Sequence, residues 1–211
     1  MFKTYYNIDK QYGIKEEIID GILNLCNMPP YAPGTLLGNH DVYSKSTQLG
    51  IISSIFNKIK PKYVLETGTE SGMFCYFIKC IAPEVNVITF GMNEGHNTSG
   101  DHRSTKCTNY LNQQLGNYIE FIEGDSRVTL TNFNTDKCID FAWIDGGHIH
   151  DVLLSDLKNC GRLGIKHICV DDYNMFPEFR GTIQEFITNY PNYKIETVTN
   201  DIRGVCYLTK E

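Results

Sequence analysis

The sequence has no Cys-x-x-Cys pair, no run of lysine or arginine, no apolar stretch long enough to span a bilayer, and no Gly-x-Gly-x-x-Gly. Each absence narrows the reading. The eight cysteines are scattered, several inside apolar runs where a thiol packs as a small hydrophobe, so they read as reduced thiols in a cytosol-like compartment. Without a basic tract there is no phosphate-tracking face, and the formal charge of -6 argues further against nucleic acid as a partner. The N-terminal "MFKTYYNIDKQYGIKEEII" lacks an apolar signal core, which leads us to expect an unprocessed, soluble, cytoplasmic protein with no membrane partner. The missing dinucleotide glycines disfavour a pyrophosphate ligand.

What is present is an alternation of strand and helix patterns along 211 residues, enough chain to bury a core without staples. "KEEIIDGILNLCN" has helical spacing of Ile18, Ile19, Ile22, Leu23 and Leu25, and the proline- and glycine-rich "MPPYAPGTLLGNHDVYS" follows as a lid-like loop. Residues 1–45 are thus expected to form a helical cap belonging to the same domain as 46–211. From residue 46 the order is a helix to Ile59, a strand at Lys62 to Glu66, a helix from Met73, a strand at Asn86 to Phe90, a helix around Cys107 to Leu115, and the strand "YIEFIEG". The second half adds strands "CIDFAWIDG" and "HICVDDY", helices "HDVLLSDLKNCGRL" and "GTIQEFITNY", and a final antiparallel pair, "YKIETVTN" and "GVCYLTK". This is an α/β chain, doubly wound around an open, mostly parallel Rossmann-like sheet, with its ligands expected at the carboxyl ends of the strands.

The first strand breaks into "ETGTESG", with Glu66 at its end and Glu70 inside the turn. Two carboxylates would repel a pyrophosphate, and so disfavour a nicotinamide cofactor. They suit a ligand that carries positive charge, as the sulfonium and α-ammonium groups of S-adenosylmethionine do. A tight strand-to-helix connection with no ligand accounts for the glycines equally well.

Five segments together, "YVLETGTESGMF", "NVITF", "YIEFIEGDSRVTL", "IDFAWIDGGHIHDVLLSDL" and "ICVDDYN", resemble the class I S-adenosylmethionine-dependent methyltransferases, in particular the small O-methyltransferases of catechol and macrocin type. The resemblance covers about residues 46 to 211 and implies a seven-stranded sheet with an antiparallel last strand. It places Glu66, Gly68 and Gly72, with Thr69 in the same turn, around the methionine part of the cofactor. Gly124, Asp125 and Ser126 fall at the adenine loop, although Asp125 and Ser126 also suit a plain helix N-cap. Where the family usually carries an acid for the ribose hydroxyls, this chain has Gly91, and Asn93 or Glu94 is the expected substitute. A protein that binds the cofactor without catalysis is the alternative that this departure motivates.

Asp145, Asp171 and Asp172 end adjacent predicted strands, a set of hard oxygen donors that suits Mg²⁺ or another divalent cation. The resemblance implies the same three positions as metal ligands, with Asp172 in place of the family's Asn and Asp145 also beside the cofactor. Capping and turn roles for these acids are the other reading. His148 stands where the catechol-type enzymes carry a general-base lysine and is the candidate catalytic base; His150 is left to solvent or substrate. His40 and Asp41 read as loop residues, and "NMPPYAP" as an ordinary proline-rich loop, since Met28 replaces the polar residue of amino-group methyltransferases. The expected activity is methyl transfer to a hydroxyl of a small molecule (sugar, phenol or natural product) assisted by a divalent metal, with oligomerisation left open. On this reading Gly68→Val removes cofactor binding and spares the fold.

Overall fold

A computed structural model describes residues 12–26, 42–93 and 102–211. Within them lie helices α1 (Glu16–Leu25), α2 (Val42–Ile59), α3 (Met73–Ile81), α4 (Arg103–Leu115), α5 (Ser126–Asn132), α6 (His150–Arg162) and α7 (Glu178–Asn189). The strands are β1 (Tyr63–Thr67), β2 (Asn86–Gly91), β3 (Ile119–Glu123), β4 (Phe141–Ile144), β5 (His167–Val170), β6 (Tyr193–Val198) and β7 (Cys206–Lys210). His40, Asp41, Glu94 and the proline-rich loop through Gly38 lie outside the described residues.

The seven strands form one sheet in the order β3-β2-β1-β4-β5-β7-β6. Neighbours from β3 to β5 are parallel, and β7 runs antiparallel to both β5 and β6. The expected antiparallel last strand is therefore present, inserted between β5 and β6. Helices cover both faces, and the alternation of side chains along each strand divides the core accordingly. Phe141 and Trp143 of β4 join Val64 of β1 against α1 to α4, whereas Ala142 and Ile144 join Leu65 against α5 to α7. Phe74 of α3 stacks on Trp143 with ring centroids 4.7 Å apart. The N-terminal cap is built into the first layer: α1 crosses α4 at Gly21, where a Cβ would lie 2.1 Å from the Tyr110 hydroxyl. No described helix is long and apolar enough to cross a membrane.

Several boundaries differ from the sequence reading for tertiary reasons. Helix α4 begins at Arg103, not near Cys107, because distant groups hold its first turn: Asn93 Oδ1 accepts from Thr105 N at 3.0 Å, and the Ser104 hydroxyl donates to the Glu70 carbonyl at 2.9 Å. Strand β4 starts at Phe141 because Asp140 turns its carboxylate to the amides of Lys62 and Tyr63 at the amino end of β1. Strand β5 stops at Val170 because Asp172 adopts a left-handed backbone (φ 56°), which ends the strand and turns the acids out of the sheet.

At β1 the winding order reverses. The chain runs outward through β2 and β3, then returns to β4 on the other side of β1, so the turns after β1 and β4 face each other at the carboxyl edge. They touch at Gly68, whose φ is 95° and whose absent Cβ would lie 1.9 Å from the Asp145 carbonyl oxygen. This overturns the expectation that Gly68→Val would spare the fold, since any side chain there collides with backbone. Even Gly68→Ala should destabilise the protein by roughly 2–4 kcal/mol, measured by urea unfolding. Unchanged stability would mean that the two turns separate without cost.

Candidate active site

The turn between β1 and α3 is held from beneath. Glu66 is buried at the end of β1, and its Oε2 accepts from the Thr89 hydroxyl and, at 3.1 Å, from the Cys75 thiol. Thr89 spends its proton on Glu66 and so accepts from the Thr69 hydroxyl at 2.6 Å. A continuous chain from Thr69 through Thr89 to Glu66 thereby ties the turn to β2. Gly72, with φ 68°, starts α3 without any side-chain cap, which leaves first-turn amides of that helix for another acceptor. Glu70 is largely exposed and 3.8 Å from the Arg103 guanidinium.

The same Thr69 explains Gly91. A Cβ at Gly91 would lie 2.7 Å from Thr69 Oγ1, so the end of β2 has no room for the acid that the family usually places there. Asn93, the expected substitute, is buried with both ends of its amide on Thr105: Nδ2 donates to Oγ1 at 2.9 Å, and Oδ1 accepts from the amide. The structure therefore shows it stapling α4. Asp125 is the N-cap of α5, accepting from Arg127 N at 2.9 Å, and its carboxylate also holds the Arg127 guanidinium, which lowers its pKa. Ser126 is the first residue of that helix. The capping role is thus present at the expected adenine loop.

The acids after β4 and β5 converge, but not as the sequence grouped them. Asp145, His148 and Asp172 bring one ligand atom each within 4.8 Å of one another. His148 Nε2 lies 3.6 Å from Asp145 Oδ1 and 3.4 Å from Asp172 Oδ2. Its ring, with the side chain 40% exposed, stacks on Phe176 at 4.5 Å and tilts against Phe179. The hydrogen bond and charge of Asp145 raise the His148 pKa, Asp172 and Asp171 add to this, and partial burial opposes it. Asp171 stands apart from the trio: its Oδ1 accepts from Gln48 Nε2 of α2 at 2.5 Å. His150 is likewise elsewhere, with Nδ1 2.8 Å from the Thr182 hydroxyl and Nε2 3.4 Å from Glu185, both on α7.

Among the described residues the side chains grouped closely enough to share an ion are Asp145, His148 and Asp172, without Asp171, and Asp172 is already gripped. Arg203, in the β6–β7 connection, donates from Nε to Oδ1 at 2.5 Å and from Nη2 to Oδ2 at 2.7 Å. A divalent ion needs carboxylate oxygens at about 2.0–2.6 Å, and Mg²⁺ prefers an all-oxygen octahedron, so these residues fit such an ion poorly. The cofactor expectation fares differently: the glycine turn, the uncapped start of α3 and the facing β4 turn form a cradle whose donor groups suit the methionine end of S-adenosylmethionine.

The reversed strand order, the antiparallel β7 and the paired turns at the switch point define the class I methyltransferase type of α/β domain. Residues 65–173 match the family model described as a methyltransferase domain, and the chain belongs to that family of S-adenosylmethionine-dependent methyltransferases. No curated protein matches it in sequence. Among solved structures it is similar to an O-methyltransferase from Bacillus cereus in complex with SAH (TM-score 0.63, 16% identity, 100% of both chains). It is also similar to the O-methyltransferase TomG from Streptomyces achromogenes, involved in tomaymycin synthesis and solved with SAM (0.63, 11%, 99% and 98% of the two chains). The SAH-bound methyltransferase PaMTH1 from Podospora anserina aligns with a TM-score of 0.62 at 13% identity over 99% and 96%. At these identities the likeness is one of fold.

Three residues of the site escaped the sequence reading. Arg203 and Gln48 lie far in sequence from the acids they hold, and no local pattern marks them. Asp156 sits at an apolar-flanked position of α6, "LLSDL", where a polar residue on a buried face was the available signal. It is fully buried beside Gly146, and no described residue donates to either carboxylate oxygen within hydrogen-bond distance. Burial pushes its pKa from 3.8 to about 6, which the nearby Ser126 and Thr67 hydroxyls offset only in part. An acid that holds its proton more tightly in the folded state stabilises less as pH rises from about 4 to about 6, and the full penalty above that window is about 3 kcal/mol. Asp156→Asn should therefore match the parent near pH 4 and exceed it by several degrees in Tm at pH 8. A variant less stable than the parent at pH 8 would show that the ionised carboxylate is well partnered.

Proposed function

We propose that this protein transfers the methyl group of S-adenosylmethionine to a hydroxyl of a small molecule, with His148 as the base. The observation that carries this is the placement of His148: half-exposed at the carboxyl edge of the sheet, between two carboxylates, on the turn whose Asp145 carbonyl lies against Gly68. The turn from Glu66 to Gly72 and the first turn of α3 would hold the methionine end of the cofactor. Asp125 and Ser126 would meet the adenine, and Asn93 or Glu94 the ribose. When bound, S-adenosylmethionine supplies a methyl group on a sulfonium, an electrophile that needs an acceptor oxygen aligned behind it and relieved of its proton.

The residues of this chain supply that alignment and that relief. Phe176 and Phe179 wall the approach to His148, a surface that suits a phenol or a sugar ring. The imidazole takes the hydroxyl proton at its other ring nitrogen, Nδ1, while Nε2–H faces the Asp145 and Asp172 carboxylates, which stabilise the imidazolium that forms. Most of the acceleration comes from holding oxygen and methyl in line. The divalent assistance expected from the acids enters no step here, because Asp172 is held by Arg203 on both oxygens and His148 is needed as the base. Buried thiols such as Cys75, Cys160 and Cys169 suit a reducing, cytoplasmic setting.

His148→Ala should lower kcat by about two to four orders of magnitude in an assay of methyl transfer to a library of phenols and sugars, and leave S-adenosylhomocysteine affinity within about threefold of the parent. Parent-like kcat in that variant would remove His148 from the mechanism. Loss of cofactor binding would instead make it a cradle residue.

A further inference from the structure

We propose that Arg203 is the resident cation of this site, standing where a divalent ion would otherwise balance the acids, and that methyl transfer here requires no metal. The inference rests on the methyltransferase reading and goes beyond it. Its basis is that the guanidinium is presented by a built loop, not by a loose side chain.

The segment from Thr199 to Val205 is stitched onto the turn that carries Asp171 and Asp172. Asn174 N donates to the Arg203 carbonyl at 2.7 Å, and Tyr173 N donates to the Gly204 carbonyl at 3.0 Å. The Asn174 side chain donates to the carbonyls of Thr199 and Asp201 at 3.1 and 2.8 Å. Asp201 in turn accepts from Gly204 N and from the Thr199 hydroxyl, and Thr199 Oγ1 accepts from Val205 N. Gly204 has φ 75°, and a Cβ there would strike the Asn174 amide at 2.4 Å, so the loop passes as close to the turn as backbone allows. On the other side, Asp172 holds a left-handed backbone, a conformation that L side chains rarely adopt. Both partners are thus fixed before they meet.

The pairing is bidentate, so the guanidinium uses one directed lone pair on each Asp172 oxygen. It places a permanent charge next to Asp145, Asp171 and Asp172, relieving the repulsion between acids that would otherwise recruit a cation. The remaining edge of Asp172 Oδ2 faces His148 Nε2. Arg203 therefore acts through Asp172, as a positioning residue for the base, and by the same contact excludes a hard divalent ion from the oxygens it needs.

The test uses Mn²⁺ as a paramagnetic probe, read by electron paramagnetic resonance, beside methyl-transfer activity after dialysis against EDTA. The parent should keep its activity in EDTA and bind no Mn²⁺ up to about 1 mM. Arg203→Met should expose Asp172 and tighten Mn²⁺ binding by at least about tenfold, and Arg203→Lys should still exclude the ion through its charge. Three outcomes would overturn the proposal: parent activity lost in EDTA and restored by Mg²⁺ or Mn²⁺, stoichiometric Mn²⁺ on the parent that Asp172→Asn abolishes, or a folded Arg203→Met that binds Mn²⁺ no better than the parent. If Arg203→Met does not fold, the two parent measurements decide alone. Failure of the methyltransferase reading would appear separately, as absence of S-adenosylhomocysteine binding by calorimetry, which the Mn²⁺ arm does not touch.

Discussion

The backbone of Gly68 lies against the carbonyl of Asp145, and the site depends on that contact. Two parallel strands side by side place their following turns at the same edge, but helices leaving on opposite faces would normally draw those turns apart. A residue without Cβ, in a conformation that L side chains rarely adopt, lets them close instead. The closure brings the glycine cradle of one turn within reach of the acids and imidazole of the other. On the proposed reading, a methyl donor on the first turn and an acceptor oxygen on the second would meet over a distance set by backbone, the most rigid part available.

Around this contact the protein buries more carboxylate than its apolar core would tolerate unaided, and it handles each acid differently. Glu66 takes a hydroxyl and a thiol from the neighbouring elements. Asp171 takes the Gln48 amide from α2, and Asp172 takes a guanidinium on both oxygens. Asp156 has no such partner among the described residues, and burial raises its pKa to about 6. An uncompensated buried charge costs several kcal/mol, so each partner offsets part of the cost of holding its acid in the interior. The division separates acids that act on the imidazole from acids that hold the scaffold.

The alternation of strands and helices and the antiparallel final pair were legible in the chain, because burial on both faces demands apolar runs such as "FAWI" and "HICV", whereas the place of β7 between β5 and β6 was not. The location of the cradle was legible for the same reason. A strand that ends in Glu66 and two glycines can only deliver its turn to the carboxyl edge. His148 and Asp145 were also readable, since only two residues separate them and a single loop carries both.

Tertiary structure alone decided the partners. Nothing near Asp172 in the sequence announces Arg203, which arrives 31 residues later on the loop between β6 and β7. Nothing near Gly91 announces Thr69, whose packing leaves no space for an acid at the end of β2. Asn93 reads as a loop residue until Thr105 is folded back onto it. Sequence pattern reports the balance between burial and exposure along each element, a property of residues a few positions apart. Whether a carboxylate meets a metal, a guanidinium or an amide depends on groups brought together by the sheet, and that pairing is written in no local stretch of the chain.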